Sequence, residues 1–314
     1  MAYGTPEDPA SLEAYYTDIR RGRPPSPDQL ADLRRRYEAI GGLSPLAART
    51  RAQVAGLQAE LDRRSGGTAG RSPGAPPGTA GASGGSHWHV ALGLKHAAPR
   101  IEDGVDALVA AGARRAAAIV LAPHHSALSV GEYLARAGAA AEGRLELVPV
   151  TAWGTHPALV SLLAARVRAA RAAFPPAMRV ELLVTAHSLP QRALTVDTPT
   201  YPAQLEATGA AVAALAGVDR WRVAWQSAGR TPEPWIGPDI LDVLRRLPDE
   251  DVAGVVVCPA GFTSDHLEVL YDIDIEARRV AEEAGLRLER TASLNDDPAF
   301  MALLADLAEA AVGQ

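Results

Sequence analysis

The sequence has one cysteine and no apolar run long enough to span a membrane. Because Cys258 stands alone, an internal disulfide and any all-cysteine zinc or iron–sulfur site within one chain are excluded. This cysteine usage fits a reducing compartment, so we expect a cytoplasmic protein. No apolar stretch reaches the roughly 18–20 residues that cross a bilayer. The N-terminus also lacks the basic-then-apolar layout of a signal peptide, and we therefore expect no membrane span.

Basic residues are outnumbered by acidic ones, and lysine is almost missing. The 37 acidic and 31 basic residues give a net charge of −6, which argues against a nucleic-acid binder that neutralises phosphates. Lys95 is the one lysine among those 31 basic residues, so 30 are arginines. Because a compact ammonium and a planar guanidinium are not interchangeable, Lys95 is a candidate for a role that arginine cannot fill.

The length and the hydrophobic pattern indicate a large α/β protein. With 314 residues, 47% of them hydrophobic and 22% charged, the chain has the composition of a soluble globular enzyme with room for two domains. Short apolar strands alternate with amphipathic helices, which predicts parallel sheets covered by helices on both faces. The predicted strands are 116–122, 145–150, 180–186, 221–226 and 255–257. One predicted helix begins near residue 129, and a second extends over residues 156–173.

A weak internal repeat indicates two domains. Residues 119–126 resemble residues 255–262, since both run from an apolar strand through a proline toward a helix. We therefore predict two similar Rossmann-like domains, 1–150 and 151–314, with parallel sheets flanked by helices and the active-site cleft between them. Residues 65–86 are almost all Gly, Ser, Ala, Pro and Thr, which predicts a flexible insertion in the first domain.

Polar residues follow the predicted strands at their carboxyl ends, where parallel sheets bind ligands. His187 comes directly after one strand, and Glu268 lies in the segment that follows another. A neutral imidazole together with a carboxylate can bind a borderline divalent cation such as Fe(II). Two protein ligands make a weak site, which suits a metal that is passed on. The alternative is that His187 is a structural residue.

Three carboxylates after the last Val-rich strand recur at a helical spacing. Glu268, Asp272 and Glu276 are each four residues apart, so on an α-helix they share one face. Like charges at this spacing repel one another weakly. A helix that keeps them is either well solvated on that face or handles cations and protons.

Signatures of other chemistries are absent or weak. The sequence has no dinucleotide-binding glycine fingerprint, no phosphate-binding loop and no Gly-x-Ser-x-Gly elbow. Ser126 and Ser188 lie beside histidines and are weak hydrolase candidates. Residues 15–23 and 34–37 combine tyrosines with arginines, which favours a flat aromatic ligand that carries carboxylates, because arginine binds carboxylate in a bidentate manner. A solvated amphipathic helix explains the same composition.

Short motifs along the whole chain are similar to those of a known protein family. They lie at residues 1–6, 15–23, 36–46, 93–96, 122–126, 186–190, 225–227 and 261–274. In this order they resemble the ferrochelatase family. The Ala-Tyr-Gly-Thr-Pro start is similar to the branch that inserts iron into coproporphyrin III. Because the family usually has an apolar strand ahead of this start, we expect an upstream apolar strand to raise stability and activity.

The resemblance implies roles for individual residues. His187 and Glu268 match the pair that meets the iron and accepts the pyrrole protons, and Tyr3 matches the tyrosine on the other side of the ring. Asp272 and Glu276 match an acidic ladder that leads away from the metal. The positions that hold the porphyrin and its propionates are matched by Arg20, Arg36, Tyr37, Ser44 and Tyr133.

The function that this resemblance implies is insertion of Fe(II), as a substrate, into coproporphyrin III in haem biosynthesis, with release of two protons. It implies no tightly bound cofactor, and the single cysteine excludes a four-cysteine iron–sulfur cluster. We expect a monomer that makes transient contact with the next haem-pathway enzyme. Two alternatives stay open: a non-catalytic haem or porphyrin carrier, and a chelatase for another metal and tetrapyrrole, such as cobalt and a sirohydrochlorin.

Overall fold

The computed structural model describes residues 1–66, 88–195, 197–229 and 231–313. The strands in these ranges are β1 (Arg115–Ile119), β2 (Glu146–Val150), β3 (Val180–His187), β4 (Trp221–Gln226), β5 (Gly254–Cys258) and β6 (Arg287–Arg290). The α-helices are α1 (Leu12–Ile19), α2 (Pro27–Ala39), α3 (Leu46–Gly66), α4 (Ile101–Ala110), α5 (Val130–Ala141), α6 (Pro157–Arg171), α7 (Tyr201–Ala216), α8 (Ile240–Arg246), α9 (Leu267–Leu270), α10 (Arg278–Glu283) and α11 (Pro298–Val312).

A four-stranded parallel sheet in the order β4-β3-β5-β6 forms the centre of the C-terminal half. Every residue of β5 is buried, as expected for a Val-rich strand covered on both faces. Successive side chains of β3 alternate between the two faces, so Leu182 and Val184 pack in one hydrophobic cluster and Leu183 in the other. Pairing of β3 with β4 places His187 opposite Gln226 at the carboxyl ends of the strands.

A second parallel pair, β1 and β2, forms the sheet of the N-terminal half. Helices α4 and α5 cover it with a cluster that includes Ile101 and Val130. The last helix of the chain, α11, also packs against β1 and β2. Arg115 at the start of β1 donates to the carbonyl oxygen of Val312 over 2.7 Å. The predicted division at residue 150 stays a prediction.

The predicted α/β architecture with parallel sheets is confirmed, and β4 has the bounds that the sequence predicted. The predicted insertion begins too early, because residues 65 and 66 are the end of α3. Arg64 binds Asp306 and Glu309 of α11 there and extends the helix. Residues 67–86 of that prediction lie outside the described residues. None of the described helices is both long and apolar enough to cross a membrane.

A cavity of about 570 Å³ lies beside the first residue of the chain. Its lining combines Met1 with residues 88–93, residues of β1 and apolar side chains of α3, α4 and α11. The Met1 nitrogen donates to the carbonyl oxygen of Ile119 over 2.6 Å, and Ala2 donates to Gly93 over 3.1 Å. Met1 and Ala2 therefore bridge β1 and residues 93–95. Burial lowers the pKa of the Met1 amino group to about 5, which is an unfavourable setting for a charged terminus.

An apolar extension of about five residues joined to Met1 is expected to raise the melting temperature by at least about 5 °C. It would fill this cavity as a strand beside β1, where each buried β-branched side chain contributes roughly 1.5–3 kcal/mol, and 1 kcal/mol shifts the melting temperature by about 2–4 °C. The extension also replaces the buried amine with a peptide group. Thermal unfolding of a Val/Ile extension against a Gly/Ser extension of equal length checks this. Equal melting temperatures for the two would contradict it.

Candidate active site

His187 and Glu268 meet at the carboxyl end of the four-stranded sheet. His187 ends the central strand β3, and Glu268 lies in the first turn of α9. The Nε2 atom of His187 is 3.4 Å from Oε1 of Glu268. About a third of each side chain is exposed, 33% and 34%, so a dissolved ion can reach the pair. The structure brings together the two residues that the sequence analysis assigns to one site, and their roles stay predictions.

The second nitrogen of His187 fixes the orientation of the ring. Its Nδ1 lies against the carbonyl oxygen of Ser188, to which it donates, and this leaves Nε2 directed at Glu268. Burial by itself lowers the pKa of His187, but the Glu268 carboxylate and the Ser188 carbonyl outweigh it and raise the pKa to about 9. At neutral pH with no metal bound, the pair is therefore an imidazolium and a carboxylate.

Glu268 also faces a second imidazole, that of His266. Oε2 of Glu268 is 3.5 Å from Nε2 of His266, whose Nδ1 donates to the carbonyl oxygen of Ser264 over 2.9 Å. Burial raises the pKa of the Glu268 carboxyl, but His187 and His266 outweigh it and hold the pKa well below its usual range. Glu268 is therefore ionised at neutral pH, and each of its oxygens faces an imidazole.

Asp272 lies deeper, with 5% of its surface exposed. Ser227 donates its hydroxyl to Oδ2 of Asp272 over 2.5 Å, and the Arg36 guanidinium lies 3.4 Å from Oδ1. Burial, followed by the charge of Glu268, raises the pKa of Asp272 to about 6. A carboxyl with a pKa near the working pH can both accept and release protons.

The predicted continuous α-helix through Glu268, Asp272 and Glu276 is wrong. Helix α9 has four residues, and residues 272–277 form a wider π turn, in which the amide of Glu276 donates to the carbonyl oxygen of Tyr271 over 2.9 Å. Because the wide turn changes the angle between successive side chains, the three carboxylates do not line up as on an α-helix. Single π turns occur often at functional sites. Asp272 points inward to Ser227, and Glu276 is partly exposed.

The predicted tyrosines are Tyr3, Tyr37 and Tyr133. Burial, followed by the charge of Glu268, raises the pKa of Tyr3, while 40% of the Tyr3 surface stays exposed for contact with a ligand. The Tyr3 ring lies 4.6 Å from the ring of His96. Tyr37 is buried and hydrogen-bonds Thr5 over 3.1 Å. Burial raises the pKa of Tyr37 and of Tyr133, and the charge of Glu268 adds to the shift at both.

The predicted porphyrin-binding arginines and Ser44 differ in their contacts. Arg36 contacts the segment that carries Glu268 and Asp272. Its guanidinium binds Asp272 and lies 4.8 Å from the Tyr271 ring centroid. Arg20 instead donates to the carbonyl oxygen of Arg23 over 3.2 Å, in its own turn after α1. Ser44 is buried and accepts the amide of Leu46 over 3.2 Å. The contacts of Arg20 and Ser44 in the described structure are therefore local.

The sequence analysis assigned no role to three neighbours of the His187–Glu268 pair. They are His266, Ser227 and Gln226, which donates from Nε2 to the carbonyl oxygen of Glu268 over 3.1 Å. Gln226 ends β4 opposite His187 and Ser227 follows it, and this position at the sheet edge was the available signal. The side-chain oxygens of the two hydrolase candidates are hydrogen-bonded to backbone groups. Ser188 is buried and donates to Ile236, and Ser126 is buried and accepts the amide of Leu128.

Within residues 1–66, 88–195, 197–229 and 231–313, no three or more His, Cys, Asp or Glu side chains are arranged so that together they could hold a metal ion. His187 and Glu268 can supply one nitrogen and one oxygen ligand to a divalent cation. Such a pair leaves most coordination positions of the cation open to other ligands. The arrangement fits a metal that is transferred.

Comparison with known proteins agrees with this chemistry. The family model of ferrochelatase matches residues 1–312. The chain is 44% identical over 310 residues to the coproporphyrin III ferrochelatase of Geobacillus thermodenitrificans, covering 97% of this chain and 92% of that protein. It is 44% identical over 319 residues to a ferrochelatase of Thermus thermophilus, covering 99% and 98%.

Among solved structures, the chain is similar to SirB from Bacillus subtilis with Fe³⁺, with a TM-score of 0.49 and 16% identity over 69% of this chain and 81% of that one. The family match covers nearly all of this chain, and the relatives match it over nearly their whole lengths. The chain therefore belongs to the ferrochelatase family.

Proposed function

We propose that this protein inserts Fe(II) into coproporphyrin III in haem biosynthesis, giving Fe-coproporphyrin and two protons. The observation that carries the proposal is the His187–Glu268 pair at the carboxyl end of the four-stranded sheet, with the titratable Asp272 beside it. The relatives named as coproporphyrin III ferrochelatases support this choice of porphyrin. The reaction exchanges two pyrrole N–H protons for Fe(II) and changes no oxidation state, so it needs no redox partner.

Metal capture begins with loss of a proton from the pair. In the metal-free site the proton of His187 lies between Nε2 and Glu268, where Fe(II) has to bind. Fe(II) takes the place of this proton, so that Nε2 and the Glu268 carboxylate become its ligands. Because the ion and the proton compete for one position, capture weakens as the pH falls. Such a weak two-ligand site holds iron without trapping it.

Proton removal from the porphyrin is assigned to the carboxylates. Glu268 is ionised and can accept a pyrrole proton, and Asp272 can relay it because its pKa of about 6 lies close to neutral pH. Glu276 is partly exposed and would release the proton toward solvent. The His187–Glu268 pair thus acts as both metal ligand and base, and Asp272 and Glu276 form the ladder.

The porphyrin is proposed to lie between this pair and Tyr3. Tyr37, Tyr133 and Ser44 would form the walls, and Arg20 and Arg36 would bind propionates. Insertion needs a ring that bends so that its nitrogens become accessible. Binding energy from the propionates and the cleft walls can drive that distortion.

Steady-state insertion of Fe(II) into coproporphyrin III, compared with protoporphyrin IX, tests the proposed function. We expect a larger kcat/KM for coproporphyrin III. Binding of porphyrin with no turnover would indicate a carrier. Turnover only with Co²⁺ and a sirohydrochlorin would indicate the other chelatase.

Replacement of Arg20 with alanine is expected to raise the KM for coproporphyrin III at least about fivefold more than the KM for protoporphyrin IX, with kcat little changed. Coproporphyrin carries four propionates and protoporphyrin two, and a charge-assisted contact contributes about 1.5–3 kcal/mol, less where water reaches it. Steady-state kinetics with both porphyrins measure the difference. Arg34→Ala, which removes an exposed arginine of α2, is the control. Equal increases with both substrates would contradict the assignment.

Arg36, the second arginine proposed to bind propionates, is expected to differ from Arg20 because its guanidinium contacts Asp272. The Arg36 guanidinium lowers the pKa of Asp272 against the opposing effects of burial and Glu268. Arg36→Ala should therefore raise the pKa of Asp272 and lower kcat in addition to any change in KM.

We also propose that the protein is a cytoplasmic monomer with domains 1–150 and 151–314, that it holds no tight cofactor, and that it passes its product to the next haem-pathway enzyme by transient contact. The proposed site supplies one nitrogen ligand from His187 and one oxygen ligand from Glu268, which suits iron as a substrate. Sedimentation analysis of the purified chain tests the monomer directly.

A further inference from the structure

The segment that carries Glu268 and Asp272 has little internal support. Helix α9 is one turn long, and no side chain caps its first residues. The π turn that follows adds further carboxylates at Asp272, Asp274 and Glu276, and like charges on one short segment repel one another. Its position relative to His187 therefore depends on contacts with other elements, which include the burial of Val269 and Ile273 against residues of the sheet and the polar contacts that follow.

Arg290 contacts both ends of this segment. Its Nε and Nη2 donate to the two oxygens of Asp274 over 2.7 and 2.9 Å, which is the bidentate geometry of a strong arginine–carboxylate pair. Its Nη1 lies 3.4 Å from Oδ1 of Asp265. Asp265 comes three residues before Glu268, and Asp274 comes two residues after Asp272. The Arg290 side chain is 15% exposed, so these pairs are shielded from most solvent.

The Asp265 end is fixed by further hydrogen bonds from the residues that follow Arg290. Ser293 donates its hydroxyl to Oδ1 of Asp265 over 2.7 Å. Asn295 donates to Oδ2 over 2.8 Å and accepts the Asp265 amide over 2.9 Å. The loop that leads into α9 is thereby attached to the chain after β6.

Arg290 itself is anchored to the sheet that carries His187. It is the last residue of β6 and aligns with Val257 of β5, which is the neighbour of β3. The amide of Thr291 donates to the carbonyl oxygen of Val257 over 2.9 Å. His187 and Arg290 therefore project from the same four-stranded sheet. Arg290 thus connects the segment that carries Glu268 and Asp272 to the sheet that carries His187.

We propose that Arg290 is a positioning residue for metal insertion: it joins Asp265 to Asp274 and so holds Glu268 and Asp272 in register with His187. The inference rests on the proposed function for its kinetic consequence, but its geometric content is independent of that function. Lysine supplies a charge without the planar fork, so it cannot replace both contacts.

The test compares Arg290→Gln and Arg290→Lys with Arg287→Gln, which removes an exposed arginine of the same strand that binds Glu289. We expect kcat for Fe(II) insertion to fall at least about tenfold in Arg290→Gln and at least about threefold in Arg290→Lys, by loss of alignment at the reacting centre. The dissociation constant for coproporphyrin III, measured by fluorescence, should stay within about twofold, since Arg290 touches none of the proposed porphyrin contacts. A residue needed only for folding would change binding and melting temperature together.

Crystal structures of the two Arg290 variants complete the test. We expect the Glu268 carboxylate to move away from its 3.4 Å separation from His187. Variants with the kcat of Arg287→Gln, or with Glu268 in place, would overturn the proposal. If Arg290→Gln does not fold, Arg290→Lys decides by the same two measurements. If the wild-type protein inserts no iron, the proposed function fails, and the position of Glu268 in the variant structures still decides this inference.

Discussion

Replacement of His187 with alanine is expected to lower Fe(II) insertion at least about a hundredfold, a barrier increase of about 2.7 kcal/mol. His187 supplies the nitrogen ligand of a two-ligand site, so its loss leaves the metal with Glu268 alone. Binding of coproporphyrin III should stay within about twofold, because the proposed porphyrin contacts belong to other residues. Insertion is measured by the absorbance of Fe-coproporphyrin, and porphyrin binding by fluorescence quenching.

The backbone around His187 is expected to survive this replacement. Tyr201 donates its hydroxyl to the His187 carbonyl oxygen over 3.2 Å, and that contact does not involve the imidazole. His156→Ala is the control, since it removes a histidine that caps α6. Turnover above about a tenth of the wild-type value, a loss below about 1.4 kcal/mol, would show that His187 is not the metal ligand.

The sequence predicted the architecture and the central pair because both depend on local pattern. A buried parallel strand reads as a short apolar run, and the residue after such a run lies at the ligand-binding edge of the sheet. This reasoning placed His187 at the end of β3 correctly. It could equally have indicated Gln226 and Ser227 at the end of β4, which lie beside His187 in the sheet.

Contacts between distant parts of the chain could not be predicted in this way. The π turn at residues 272–277 depends on which carbonyl each amide reaches, and i, i+4 spacing in the sequence favours the ordinary α-helix instead. The contact of Arg36 with Asp272 joins α2 to that turn across 236 positions. Ser227 adopts a φ of 61°, a conformation that non-glycine residues rarely take, while its hydroxyl binds Asp272. Each feature is fixed by tertiary structure.

Replacement of Glu268 with glutamine is expected to lower insertion at least about a hundredfold and to abolish the release of a proton on metal binding. In the wild-type protein the pKa of His187 is about 9, so at pH 7.5 about one proton must leave for each Fe(II) that binds. Burial lowers the pKa of His187, and Glu268 is the main opposing influence. Without that carboxylate the imidazole is neutral at pH 7.5, and Fe(II) displaces little or no proton.

The proton count is measured by anaerobic calorimetric titration with Fe(II) in buffers of different ionisation enthalpy. The raised pKa of His187 also sets the pH dependence of Fe(II) binding. Below about pH 9 the proton competes with the ion, so wild-type affinity for Fe(II) should rise about tenfold per pH unit from pH 6 to 8. Above about pH 9 the affinity should level off. In Glu268→Gln this rise should disappear above about pH 7. Glu283→Gln removes a surface carboxylate that binds Arg279 and should keep the wild-type proton count. Release of a full proton by Glu268→Gln at pH 7.5 would mean that Glu268 does not hold the proton on His187. It would contradict the proposal that Fe(II) and that proton compete for one position.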